Sequence, residues 1–230
     1  TVSANQDCNP GQCAEQVSSY AAGLVGLMSS KPSIPALSVV NNVYATGSVN
    51  YSAQRSGVFA GGLIGQAQVQ YLQLGSVHAS GSVSITGADV VAFAGGLFGT
   101  LMTDRDTTVQ RLYATGSVTN GGRLYSLGGS PSSSAGLIGL MSGPITLQTS
   151  YATGDVEGPG VVAGLVGNAI PFAYAQGGGP ADERTIENSY ATGNVAGKNS
   201  EMYFSENSEI GEGYVEFGAV AGGLAGSIIE

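Results

Sequence analysis

The chain is poor in charge: Asp, Glu, Lys and Arg make up 10% of its 230 residues, against about 25% in an ordinary soluble domain. Only seven residues are Lys or Arg. No basic stripe forms, which argues against nucleic acid as a partner. No uninterrupted apolar run reaches the roughly 18 residues of a membrane-spanning helix. A single histidine, His78, and two cysteines leave too few ligands for a zinc site. Glycine is abundant at 38 residues, but without a G-X-Y period, which excludes collagen. With 42% hydrophobic residues the chain is not a disordered low-complexity tract.

The net charge of −9 is uneven. Acids and bases cancel over residues 1–150, and the whole negative excess falls in 151–230. Cys8 and Cys13 flank a Pro-Gly turn in "CNPGQC", which brings them within disulfide range. That pairing, with a chain that begins on Thr, leads to an expectation of an exported, extracellular or cell-surface protein whose signal peptide has been removed.

What the chain has in quantity is one phrase repeated. "YATGSV" at 44–49 returns as "HASGSV" at 78, "YATGSV" at 113, "YATGDV" at 151 and "YATGNV" at 190. A second phrase, "AGGLIG" at 60–65, returns as "AGGLFG", "AGLIG", "AGLVG" and "AGGLAG", with "AAGLVG" at 21–26 as a copy lacking its hexapeptide. A looser strand-like piece, such as "DTTVQRL" or "ITLQTS", completes each unit. No segment has helical periodicity, and glycines at segment ends supply sharp corners. A unit of short strands repeated in this way describes an all-β parallel β-solenoid of about five to six coils, three strands per coil, with loop insertions. The expected division is an N-terminal segment, 1–20, acting as cap or strand donor, followed by a repeat domain, 21–230.

Period-two alternation predicts the facing. Ala45, Gly47 and Val49 point inward, and Tyr44, Thr46 and Ser48 outward. The expected core ladder is Leu24, Leu63, Leu97, Leu137, Leu165 and Leu224, with Val49, Val83, Val118, Val156 and Val195. The residue after each Leu (Val25, Ile64, Phe98, Ile138, Val166, Ala225) then points out, and an exposed apolar row needs cover. Val25, Ile64, Phe98, Ile138 and Val166, together with Ile228 and Ile229, are the expected assembly interface.

These repeats resemble the GLUG-motif repeats of bacterial surface proteins, on "ENSYATGNV" at 187–195 with "AGGLAG" at 221–226, and on "TSYATGDV" with "AGLVG". The resemblance covers residues 21–228. It implies a right-handed β-solenoid from a secreted adhesin-like protein and brings no catalytic residues. The long insertions at 119–134, 168–183 and 196–220 depart from the pattern.

Candidate chemistry lies outside the repeat. "DRD" at 104–106, "DER" at 182–184 and Glu201, Glu206, Glu209, Glu212 and Glu216 are the carboxylates a carbohydrate-cleaving β-helix would need; no spacing fixes an acid–base pair, so they read as solvated loop charges. Calcium would draw on Asp104 with Asp106 or on the glutamates of 201–216, and neither set matches a calcium loop; the cofactor expectation is none. His78 takes the Tyr slot of its repeat, and Ser130 to Ser134 lack the strand–turn–helix setting of a nucleophile. The outward Thr46, Ser80, Thr115, Thr153 and Thr192 form a single row, narrower than an ice-binding array. The expected role is therefore non-enzymatic: a fibre or appendage subunit that stacks head to tail with itself. The alternatives are a segment of a larger adhesin that contacts surface or matrix glycans, and a carbohydrate-active enzyme.

Overall fold

In the computed structural model the described residues are 2–6, 17–30, 37–54, 56–88, 91–121, 132–170, 184–204, 213–217 and 219–228. They form a β-solenoid without helix, in which successive coils pair in parallel. Each of the first five coils has five walls where the sequence predicts three strands. In the second coil they are wall A (Val49–Gln54), wall B (Ser56–Gly61), wall C (Ile64–Val69), wall D (Tyr71–Gly75) and wall E (Val77–Ala79). Walls A, B and C are six strands deep and wall E is five; wall D is split into a two-stranded and a three-stranded ladder. The looser piece of each repeat is wall D, and the hexapeptide straddles walls E and A.

The segment 1–20, expected as a cap or strand donor, gives strands to the first coil, and the expected boundary at residue 20 falls inside one of them. Val2–Gln6 is the wall A strand of the first coil, with Val2 in register with Val49. Val17–Ala22 is its wall B strand, paired with Ser56–Gly61. The copy at 21–26 that lacks its hexapeptide therefore has a wall A strand all the same. Of the insertions, the last contributes an antiparallel hairpin, Ser200–Phe204 with Gly213–Phe217; residues 122–131 and 171–183 lie outside the described residues.

The chain turns sharply at each Gly-Leu pair between walls B and C. There two consecutive amides bond one carbonyl: Leu63 and Ile64 both donate to Leu97 O at 3.1 Å, and Leu137 and Ile138 to Leu165 O at 3.1 and 3.0 Å. Walls B and C fold back on each other at this bend. A Cβ on Gly65 would lie 2.8 Å from Phe59 O, and one on Gly99 2.8 Å from Phe93 O. Only glycine lets the two backbones approach so closely. Behind the bend, Gly62 faces Ala79, with a hypothetical Cβ 2.9 Å from the alanine's; Gly23–Ala45, Gly96–Ala114, Gly136–Ala152 and Gly164–Ala191 repeat the contact at 2.7–2.9 Å. The tip of the B–C fold thus touches wall E in the first five coils.

This contact divides the interior in two. Between walls A and B lies a compartment of Val49, Tyr51, Val58, Val83, Ile85, Val118, Val156 and Val162 with small alanines. Between walls C, D and E lies a larger one with Leu63, Ile64, Leu97, Phe98, Leu137, Ile138, Leu165 and Val166. The Ala of YATG and the first Gly of Gly-Leu recur because they meet across this waist.

A third recurrence marks the corner between walls D and E. Asn42, Ser76, Arg111, Thr149 and Asn188 occupy it with φ of 54°, 52°, 56°, 48° and 48°. This left-handed conformation suits Asn and disfavours β-branched residues.

Candidate functional site

The described residues offer two surfaces on which function can rest: the outward columns of wall E and the edges of the stack. In wall E, Ala45, Ala79, Ala114 and Ala152 are buried and Ala191 partly so, and the side chains on either side point to solvent, as alternation predicts. Tyr44 is 63% exposed and Tyr190 52%. His78 stacks on Tyr44 with ring centroids 5.2 Å apart, Tyr151 on Tyr113 at 4.5 Å, and Tyr190 on Tyr151 at 5.2 Å. Thr46, Ser80, Thr115, Thr153 and Thr192 form an exposed hydroxyl column beside them. The next outward column begins as Ser48 and Ser82, whose hydroxyls bond at 3.1 Å. It ends as Asp155 and Asn194, where Asp155 Oδ1 accepts from the Asn194 amide at 2.7 Å and from Nδ2 at 3.0 Å.

The Leu column separates interior from edge. Leu63, Leu97, Leu137 and Leu165 are fully buried, whereas Leu24 is 53% and Leu224 41% exposed. Val49, Val83, Val118 and Val156 are buried, and Val195, in the last strand of wall A, is partly so. At one edge Leu27, Leu37 and Val39 add exposed apolar surface, and at the other Val220 does. Both edges present, uncovered, the residue types that inner coils bury.

The expected outward apolar ladder is overturned. Ile64, Phe98, Ile138 and Val166 have no exposure and sit in the C–D–E compartment, with Val25 packed partly buried against it. Alternation holds within a strand, but the Leu before each of them stands in the bend, where the count restarts, so both neighbours point inward. These residues cannot form a lateral assembly interface. Ile228 closes the last wall C strand, and Ile229, Cys8 and Cys13 lie outside the described residues.

The candidate chemical groups do not converge. Among the described residues no three His, Cys, Asp or Glu side chains come together. Asp104, Arg105 and Asp106 sit exposed at the bend between walls C and D; 182–183 and Glu206, Glu209 and Glu212 lie outside the described residues. Ser132, Ser133 and Ser134 are buried and hold structure. Ser132 Oγ accepts from the Ala92 amide at 3.0 Å, Ser133 Oγ donates to Gly139 O at 2.7 Å, and Ser134 Oγ accepts from Asn120 Nδ2 at 3.3 Å. Among the described residues no helix is long and apolar enough to cross a membrane.

Two features went unread in the sequence. Tyr20, Phe59 and Phe93 stack at 5.4 and 5.6 Å along the side of wall B turned to the wall C glycines; aligning the repeats on Gly-Leu would have put these rings in one column. Ser150 takes the place that Val77 and Leu112 hold in earlier coils, and its Oγ accepts from the Leu112 amide at 3.1 Å while donating to Gln148 O at 2.8 Å. Comparison of the chain with protein-family models, with curated proteins and with solved structures found no match.

Proposed function

We propose that the protein is a non-enzymatic, exported structural subunit of the GLUG-repeat type, whose coil edges stack head to tail with further copies into an extracellular fibre. One observation carries this reading: Leu24 and Leu224 are 53% and 41% exposed while the four leucines between them in the same column are fully buried. The interior coils specify what would fit at the edge. Hydrogen bonds run one way, from the Leu24 amide to Leu63 O, and so on to Leu165 and Leu224 O, at 2.9–3.1 Å. The next step would run from the Leu224 amide to the Leu24 carbonyl of a second copy. Such a contact does not close on itself and grows as a filament.

Negative-stain electron microscopy across a concentration series tests it. Uniform fibres with an axial repeat near 30 Å, about six rungs of ~4.8 Å, are the expected outcome. Dispersed monomers at every concentration would refute it. A second reading, a segment of a larger adhesin, draws on the uncharged Tyr and Thr columns of wall E, a face suited to neutral surface or matrix glycans. Retention of dispersed protein on immobilised glycan, lost on replacing Thr115 and Thr153, would favour it.

A further inference from the structure

Tyr113, Tyr151 and Tyr190 occupy one position in three successive coils. Their rings stack at 4.5 Å with an interplanar angle of 30°, then at 5.2 Å and 10°. The backbone holds them in register: Thr153 donates to Ala114 O at 3.0 Å, Tyr190 to Ser150 O at 3.1 Å and Thr192 to Ala152 O at 3.1 Å. Tyr113 and Tyr151 are half-buried, and Tyr190 is exposed. Stacking by itself requires only a ring, and the wall B column meets that need with Phe59 and Phe93 behind a single tyrosine, Tyr20. The wall E column sets three phenols in direct succession, reachable from solvent.

We propose that Tyr113 and Tyr151, with Tyr190 as the next partner, form an oxidative cross-linking site that joins neighbouring coils through a dityrosine bond. The co-reactant is a peroxidase-type one-electron oxidant consuming hydrogen peroxide. It removes one electron and the phenolic proton from each ring. The two phenoxyl radicals carry spin on their ortho carbons, and a carbon–carbon bond forms between one ortho carbon of each. Each ring then transfers its ortho hydrogen as a proton to its oxygen and regains a phenol. Overall the pair loses two hydrogens, and one hydrogen peroxide becomes two waters. Holding the rings side by side makes the coupling intramolecular, which favours it over encounters between molecules. Partial exposure leaves both side chains room to hinge from stacking to bonding distance. This inference concerns one chain and stands apart from the fibre reading.

The test treats dilute protein with horseradish peroxidase and hydrogen peroxide, followed by dityrosine fluorescence and tryptic peptide mapping. The expected product migrates as a monomer. It contains the peptide 112–123 joined at Tyr113 to Tyr151, two hydrogens lighter than the sum of the two peptides. Tyr151→Phe keeps the stacked ring and abolishes the product. Tyr113→Phe abolishes it too, but leaves a Tyr151–Tyr190 link. Cross-links that map only to other tyrosines, or dityrosine emission unchanged in Tyr151→Phe, would overturn the assignment.

Discussion

Leu137 is the most informative residue to shorten, because its column runs from fully buried to half exposed within one molecule. Its side chain is fully buried in the C–D–E compartment beside Leu97 and Leu165. Leu137→Ala removes buried methyl groups and leaves a cavity between coils whose backbones are pinned by the Leu97–Leu137 and Leu137–Leu165 hydrogen bonds. Walls pinned in this way relax little, so the loss should fall within the usual range of about 2–5 kcal/mol. For a chain of this size that lowers the thermal midpoint by roughly 4–20 °C, at about 2–4 °C per kcal/mol. Leu224→Ala, in the same column but 41% exposed, should cost below about 1 kcal/mol. Circular dichroism melts of both variants at a dilution where the parent is monomeric make the comparison. Leu137→Ala melting with the parent would refute the assigned core. Equal losses in the two variants would refute the exposed edge on which stacking depends.

Four further outcomes follow from the same geometry. Gly96→Ala puts a Cβ against Gly136 O and 2.9 Å from that of Ala114, so chemical denaturation should show a loss at or above the top of the roughly 1–3 kcal/mol range for overpacking. Gly57→Ala, where the added Cβ has nothing within 4 Å, should stay within about 0.5 kcal/mol of the parent. Thr149→Asn relieves a β-branched residue at φ of 48° and should raise stability by about 1 kcal/mol, read as a higher melting temperature. Ser150→Ala strands the Leu112 amide, whose acceptor is Ser150 Oγ at 3.1 Å, and should cost about 1–3 kcal/mol in the same assay.

The solenoid was legible because identical side chains recur where coils stack, and the facing of YATG was legible because alternation holds inside one short stretch. Val49 and Ala45 point in, Tyr44 and Thr46 out, as that rule requires. The rule failed one residue beyond Leu63, where two amides on one carbonyl mark a bend and Ile64 points inward beside its neighbour. The five walls were hidden for a related reason. Nothing in "AGGLIG" says that wall C returns along wall B, because the signal is an absence of side chain at Gly65 and Gly99. The D–E corner was written in plain view as Asn42 and Asn188, but Arg111 and Thr149 at the same place obscured the column. Of the candidate site, the outward Tyr column was readable, and its pairwise stacking was not, since that depends on rotamers set by neighbouring coils.

The contact of Gly62 with Ala79, repeated from Gly23–Ala45 to Gly164–Ala191, bears on mechanics as well as packing. A hollow tube under lateral load fails by flattening, since its opposite walls can approach. Here the folded pair of walls B and C reaches across to wall E and is already in contact with it, so it acts as a web inside a beam. Flattening would have to drive the glycine backbone into the alanine methyl at a place where not even one further methyl group fits. Bending would be resisted by both lobes together, and the rod would stay straight under loads that crumple an undivided coil of the same perimeter.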